Sequence, residues 1–185
     1  MAMLELRWQG NGIARLTHAT EVLSSGPKHT ALRRALNHTG NATFTLVKRT
    51  LAKQVGTTQA AVVKYGLVKA TQASNAYLEY RITARGGTIP LKYFAANQTK
   101  KGVSARPWGN RKLYRSAFIV ASMGGHAFWR KGRAGRLPIE RIAGPNVPKE
   151  MVKDATAMAF YRTVSTRLPT RVAHEVRLIT NGVLS

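Results

Sequence analysis

The stretch VSARPWGNRKLYRSAFIVASMGGHAFWRKGRAGRLPIERIAGPNVP, residues 103–148, sets the interpretation of the whole chain. It contains two of the three tryptophans and overlaps an interval, from Tyr80 to Ile139, with thirteen lysines and arginines and no aspartate or glutamate. Short apolar runs alternate there with glycine-rich turns, which is typical of strands joined by hairpins. We therefore predict a region of strands and basic turns, flanked by helices.

Alternating polar and apolar residues predict the strands of this region. Working outward, the segments 113–122, 126–130 and 137–142 read as strands, and 143–148 reads as a rigid connector. Upstream, 75–85 and 88–95 show a similar pattern, and Pro90 restricts the second of them to an edge or a strand start. Residues 97–112 are polar and basic, and form either a loop or a long hairpin arm.

Helical spacing marks the two ends of the chain. Residues 28–55 predict a long helix that Gly40 is able to interrupt, and Gly56 followed by Thr57 or Thr58 predicts a stop and a new start. A strand at 2–8 and a helix at 13–23 precede it. Pro148 opens a C-terminal helix that Pro169 interrupts or kinks.

These elements predict one compact α+β domain. Its regions are an N-terminal helical region at 1–74, a central, mostly antiparallel β-sheet with long basic loops at 75–148, and a C-terminal helix and tail at 149–185. We expect the C-terminal helix to pack on the sheet, because both need a partner for one apolar face.

The charge balance points to a polyanionic partner. The 185 residues include 30 lysines and arginines against 7 acids, a net charge of +23, and no cysteine. A charge of this size opposes compaction of an isolated chain, so nucleic acid is the first expected partner and an anionic membrane surface the second. An acidic neighbour within an assembly is the alternative.

The scarcity of carboxylates argues against catalysis. Asp154 is the one aspartate, and the only close acidic pair is Glu150 and Asp154, which suit the start of a helix. The five histidines lack metal-ligand spacing, and neither a nucleophile elbow nor a phosphate-binding loop is present. We predict no enzyme activity, no metal and no cofactor. The absence of a targeting segment or membrane span predicts a soluble protein made in the cytosol.

A second interpretation is a free DNA-binding protein. Residues 41–66 join two basic helical segments through Gly56, which resembles a helix-turn-helix reader. The aromatic residues near the basic loops are able to stack on bases or to pack in a core, and both interpretations remain open.

The same residues resemble a known family. The succession IPLKYF (89–94), QTKKGVSARPWG (98–109), AFI (117–119) and FWRKGRAGRLPIERIAGPNVPKEM (128–151) is similar to the phage minor tail protein Z family, and ALNHTGNATFTLVKRTLAKQVG (35–56) fits its helical part. The resemblance covers most of residues 30–151. It implies a structural virion protein, a tail-completion or neck protein of long-tailed bacteriophages, made in the host bacterial cytoplasm.

The resemblance also implies partners and surfaces. It implies a homo-oligomeric ring, six-fold like the tail, that joins tail-terminator or tail-tube proteins to head connector proteins around packaged double-stranded DNA, without membrane contact. Residues expected to contact the DNA channel or a partner ring are Lys100, Lys101, Arg106, Arg111, Lys112, Arg130, Lys131, Arg133 and Arg136. Residues expected at the subunit interface are Trp108, Tyr114, Phe128, Trp129, Leu137, Pro138 and Ile139.

Overall fold

The computed structural model describes residues 2–6, 25–130 and 137–179. Within them the helices are α1 (Ser25–Val55), α2 (Gln59–Gly66), α3 (Val147–Met151) and α4 (Asp154–Ile179). The strands are β1 (Ala2–Leu6), β2 (Val68–Thr71), β3 (Tyr80–Ala84), β4 (Thr88–Pro90), β5 (Asn97–Thr99), β6 (Gly102–Ala105), β7 (Lys112–Arg115), β8 (Phe118–Val120), β9 (His126–Arg130), β10 (Ile139–Arg141) and β11 (Ala143–Asn146). The predicted α+β class is confirmed, whereas the predicted helix at 13–23 lies outside the described residues.

The strands form several small antiparallel sheets in place of one central sheet. Their orders are β1-β3-β2, β5-β6-β7, β10-β9-β8 and β11-β4. The predicted strand at 113–122 is divided into β7 and β8 at Ser116, whose φ of 60° is incompatible with an extended strand. The connector at 143–148 was also assigned incompletely, because residues 143–146 pair with β4 as β11.

The middle of α1 is continuous, although glycine and asparagine predicted a weak point there. Gly40 faces the buried ring of Tyr80 in β3, and a Cβ at Gly40 would lie 2.3 Å from the ring atoms. The Tyr80 hydroxyl donates to Asn41 Oδ1 at 2.9 Å, and Asn37 exchanges hydrogen bonds of 3.0 and 2.7 Å with the backbone of Ala73. These residues therefore dock the helix on the β1-β3-β2 sheet.

The C-terminal helix α4 lies along α1, whereas we expected it to pack on the sheet. Leu168, Val172 and Val176 of α4 are buried, as are Val47 and Leu51 of α1. The helix also continues through Pro169, which we expected to interrupt or kink it. Proline removes one backbone hydrogen bond, and the apolar contacts on both sides of it hold the helix together.

Gln54 joins α1 to the C-terminal helices. Its Nε2 donates to the Glu150 backbone carbonyl at 2.9 Å and to Glu150 Oε2 at 3.2 Å, while its Oε1 accepts from the Thr156 amide at 2.9 Å and hydroxyl at 2.7 Å. Glu150 and Thr156 are both buried. Asn146 caps α3 through the Lys149 amide at 3.1 Å. Buried polar atoms with partners of this kind fix where α3 and α4 meet α1.

Two regions follow from these contacts. The strand lobe consists of β5–β10, residues 97–130 and 137–141. The helical core consists of residues 25–96 and 142–179, and it contains the helices. Among the described residues, the largest fully buried side chains lie in the helical core, with Val103 of β6 as the exception.

Candidate nucleic-acid and subunit interface

The β5–β6 hairpin positions the first basic pair. Lys100 and Lys101 are exposed at its tip, where Thr99 Oγ1 donates to the Gly102 carbonyl at 2.8 Å. Gly102 has φ 143°, and a Cβ there would lie 2.1 Å from the Tyr114 carbonyl oxygen of β7. Only glycine fits this turn, so the sequence KKG places two cations at the end of a three-stranded sheet.

A second basic group lies at the opposite end of the same sheet. Ala105 of β6 pairs with Lys112 of β7, and Arg106 and Arg111 are exposed beside that pair. The Arg111 Nη1 donates to Ser104 Oγ at 2.9 Å. Lys112 Nζ lies 5.6 Å from the centroid of the Tyr114 ring. The β5-β6-β7 sheet therefore carries positive charge at both ends, which favours contact with phosphates or with a neighbouring subunit.

The third predicted basic group is described only at its start. Arg130 ends β9, and its guanidinium carbon lies 4.8 Å from the centroid of the Phe118 ring. This cation–π contact holds the arginine on the same face of the β10-β9-β8 sheet as Phe118. Lys131, Arg133 and Arg136 lie outside the described residues, and their contacts stay predictions.

Several apolar residues predicted at the subunit interface are exposed. Leu137 is 73% exposed, Trp108 47% and Trp129 45%. The Trp129 indole nitrogen donates to Glu140 Oε2 at 3.3 Å. Pro138 precedes β10 and is exposed, and Ile139, the first residue of β10, is half-buried. Large apolar side chains in contact with water favour a role in protein contacts.

Two members of that predicted set face inward. Phe128 is 6% exposed, and its ring centroid lies 6.4 Å from that of Phe118, so it belongs to the interior of its sheet and its assignment to an interface is corrected. Tyr114 is half-buried, and burial raises the pKa of its hydroxyl. Neighbouring residues on a strand point to opposite faces, so Phe128 and Trp129 do not share one surface. The sequence-based prediction placed both at the interface and did not separate the two faces.

The helix-turn-helix-like segment has the predicted local structure. Gly56, with φ 81°, ends α1, and Thr58 Oγ1 accepts from the Ala61 amide at 3.3 Å to start α2. Ala61 and Val62 are buried, and the exposed residues of α2 are Gln59, Ala60, Val63 and Lys64. This face has few side chains able to read base edges, so α2 is poorly suited to sequence-specific recognition.

A groove of about 760 Å³ between α1 and α4 is a surface that the sequence did not predict. Its lining combines small or apolar residues with arginines and threonines: Ala42, Thr45, Leu46, Arg49, Ala155, Met158, Ala159, Arg162, Thr163, Thr166 and Arg167. Met158 is 73% exposed. Arg49 of α1 lies far in sequence from Arg162 and Arg167 of α4, and only the packing of α4 on α1 brings it close to them.

Two acidic side chains are removed from the surface. Glu150 pairs with Lys153 at 2.9 Å and Glu175 with Arg171 at 2.6 Å, and both carboxylates are buried. Each pair also neutralises one basic residue, so the net charge stays at +23 and the rest of the surface remains strongly positive. This surface attracts polyanions over much of its area.

Comparisons of the chain with protein-family models, with curated proteins and with solved structures found no match. Within the described ranges, none of the helices combines the length and apolar character needed to cross a membrane.

Proposed function

We propose that this chain is a structural, non-catalytic protein of a bacteriophage virion that completes the tail and joins it to the head at the neck. In this proposal its copies form a six-fold ring around the DNA channel, between tail-terminator or tail-tube proteins and the head connector. The sequence resemblance of residues 30–151 supplies the family. The described geometry supports the proposal through charge and through exposed strand edges.

The observation that carries the proposal is that the strand lobe has both exposed basic residues and an exposed strand edge. β7 is an edge strand of its sheet, and its burial is low along its whole length, with Leu113 39% exposed. An unpaired strand edge with an exposed leucine favours pairing with another chain. Closed rings cover such edges in every copy, because each subunit offers one surface to the next.

The charge distribution supports a place beside DNA. Lys100, Lys101, Arg106, Arg111 and Lys112 surround the same sheet and are exposed. Lysine and arginine at loop ends contact phosphates without reading sequence. The free DNA-binding alternative requires α2 as a reader, and its exposed face offers Lys64 as its one charged residue.

Light scattering coupled to size exclusion tests the proposal directly. We expect the purified chain to form a defined oligomer, with rings visible by negative-stain imaging at low and at high salt. A monomer or dimer that selects one duplex sequence over others would contradict the ring and support the DNA-reader alternative.

Charge reversal tests the predicted hairpin contact. Replacing Arg130, Lys131, Arg133 and Arg136 by glutamate is expected to abolish ring assembly while the circular dichroism spectrum stays native. A matched control replaces four exposed basic residues of the helical core by glutamate: Lys53, Lys69, Arg85 and Lys149. Equal assembly of the two variants would remove the hairpin from the proposed interface.

A further inference from the structure

A cluster of tyrosines and cations lies where α2, the turn at Leu91–Tyr93, β9 and β10 meet. The Tyr65 hydroxyl donates to the Tyr93 hydroxyl at 3.0 Å, and the ring centroids are 5.1 Å apart. Lys64 Nζ lies 5.8 Å from the Tyr65 ring centroid, and Lys92 Nζ lies 5.4 Å from that of Tyr93. We call Lys64, Tyr65, Lys92, Tyr93, His126 and Arg141 the tyrosine–cation cluster.

The positive charges of this cluster have no carboxylate partner within the described part of the chain. Lys92 Nζ donates to the Gly124 carbonyl at 3.0 Å, a neutral acceptor. Arg141 follows Glu140 in β10, but the Glu140 carboxylate accepts from Trp129, and successive residues of a strand point to opposite faces. Lys64, Lys92 and Arg141 therefore surround the two tyrosines without a neutralising carboxylate, and their mutual repulsion is unfavourable.

The hydroxyl pair leaves one donor for an outside acceptor. Because Tyr65 donates its proton to Tyr93, the Tyr93 hydroxyl proton remains available to donate elsewhere. The hydrogen bond from Tyr65 has the largest effect and lowers the pKa of Tyr93, burial opposes it, and the charges of Lys92 and Lys64 lower that pKa further. A phenol with a lowered pKa is a stronger hydrogen-bond donor to an anion.

His126 lies near these cations and has a ring nitrogen without a hydrogen-bond partner among the residues described. This nitrogen, Nδ1, is buried. Burial lowers the pKa of its imidazole, and the charges of Lys92 and Arg141 lower it further. Buried polar atoms in proteins normally have a partner, and a bound anion beside Lys92 and Arg141 would reverse the effect of their charges.

We propose that the tyrosine–cation cluster is a phosphate-binding site, whose ligand in the assembled particle is the phosphodiester backbone of duplex DNA. Ammonium, guanidinium and phenol groups are the donors that contact phosphate in protein–DNA complexes. A tetrahedral phosphate accepts from donors on several elements at once. It also supplies a negatively charged partner for Lys64, Lys92 and Arg141. The assignment to DNA rests on the proposed function, whereas the phosphate site itself does not.

Inorganic phosphate and nuclear magnetic resonance test the site without DNA. The pKa of His126 is measured in the full chain in chloride and in phosphate at equal ionic strength, with exposed His29 as the reference. We expect phosphate to raise the pKa of His126, because a nearby anion stabilises the imidazolium, and to leave the ring resonances of His29 where they are in chloride. Equal responses of the two histidines would overturn the site.

A conservative variant tests the DNA ligand. Tyr93→Phe removes the free hydroxyl without changing charge, and exposed Tyr77→Phe is the matched control. We expect Tyr93→Phe to weaken binding to a 16-base-pair duplex by roughly tenfold to a hundredfold, the value of one hydrogen bond to a charged group. Tyr77→Phe is expected to bind as the wild type does. Equal affinities of the two variants would refute the DNA contact.

The salt dependence separates this site from general attraction. Lys92→Gln with Arg141→Gln is expected to reduce the slope of log affinity against log salt by about 1.8, the value for two lost phosphate contacts on duplex DNA. Exposed Lys69→Gln with Arg85→Gln is the control, with an expected change near zero. Equal slopes in the two pairs would contradict a defined site.

The remaining measurements distinguish this site from the proposed ring. If Tyr93→Phe lowers DNA affinity while light scattering finds no oligomer, the phosphate site stands and the ring fails. If rings form and the affinity of Tyr93→Phe is unchanged, the site fails and the ring stands. If polyglutamate raises the pKa of His126 and the duplex does not, the cluster binds an acidic protein and our assignment to DNA is wrong.

Discussion

The helical core and the strand lobe differ in where they place their large apolar side chains. In the helical core, Leu51, Ile82 and Met151 are fully buried. In the strand lobe, Val103 and Phe128 are buried beside the small residues Ala105, Ala117 and Ala127, while Trp129 and Leu137 are exposed. Burial of large side chains supplies most of the free energy of folding. The helical core therefore supplies most of the burial that stabilises the subunit. Both regions also expose large apolar side chains, since Met158 of the helical core and Leu137 of the strand lobe are each 73% exposed.

Truncating a leucine in each region gives the largest expected contrast. Leu51→Ala creates a cavity in the helical core, and we expect it to lower the free energy of unfolding by about 3 kcal/mol. Leu113→Ala on β7, where the leucine is 39% exposed, is expected to change that free energy by less than about 0.5 kcal/mol. Urea denaturation followed by circular dichroism measures both.

The two leucine variants are also expected to separate in assembly. Leu113→Ala is expected to weaken oligomer formation in light scattering, because it removes apolar surface from an exposed strand edge. A loss of folding stability in Leu113→Ala equal to that of Leu51→Ala would show that the strand lobe has a substantial core of its own.

A smaller effect is expected where α1 meets β3. Gly40→Ala places a Cβ 2.3 Å from the Tyr80 ring, so the ring or the helix has to move. Overpacking of this kind costs about 1–3 kcal/mol, and the higher helix propensity of alanine returns up to about 1 kcal/mol. We expect a net destabilisation in thermal unfolding.

The same substitution is expected to change sign in a different background. In a Tyr80→Ala chain the clash is absent, so Gly40→Ala is expected to stabilise by up to about 1 kcal/mol. A stabilising Gly40→Ala in the wild-type chain would contradict the close contact between α1 and the ring.

The smallest expected effect is a dependence of stability on alkaline pH. Burial raises the pKa of the Tyr80 hydroxyl above its usual value of 10.0. The native state therefore holds this proton at pH values where the unfolded chain has lost it. The contribution of Tyr80 is complete below the unfolded pKa and is lost as pH rises through the folded pKa.

Urea denaturation between about pH 9 and about pH 11 measures this contribution. The wild-type chain is expected to lose stability with rising pH more steeply than Tyr80→Phe. Tyr77→Phe, in which an exposed hydroxyl is removed, is expected to follow the wild type. Parallel curves for the wild type and Tyr80→Phe would refute the burial of an ionisable hydroxyl at this position.

Local signals predicted the elements whose ends depend on neighbouring residues. Gly56 and Thr58 separate α1 from α2 as expected, because a left-handed glycine and a side-chain cap act within one turn. The strand at 126–130 was predicted with its observed bounds. The strand β2 was missed, because Val68–Thr71 gains its extended structure from pairing with β3, which no local pattern indicates.

The candidate surfaces were predictable only in part. The basic tip at Lys100 and Lys101 follows from sequence, because glycine and polar residues mark a turn on the surface. The groove arginines of α1 and α4, and the meeting of Tyr65 with Tyr93, depend on contacts between distant segments. Sequence periodicity indicates which face of a helix or strand is buried, but it does not indicate which other element packs against that face. The sequence of each segment taken alone therefore did not predict these sites.

The sequence by itself determined the net charge of +23, the long first helix and the positions of the basic turns, because composition, helix caps and turn residues act over a few positions. Tertiary structure alone decided that α4 lies along α1, that Phe128 is buried while Trp129 is exposed, and that three cations gather around two tyrosines. These outcomes depend on which surfaces exclude water from one another, and that choice involves residues far apart in the chain.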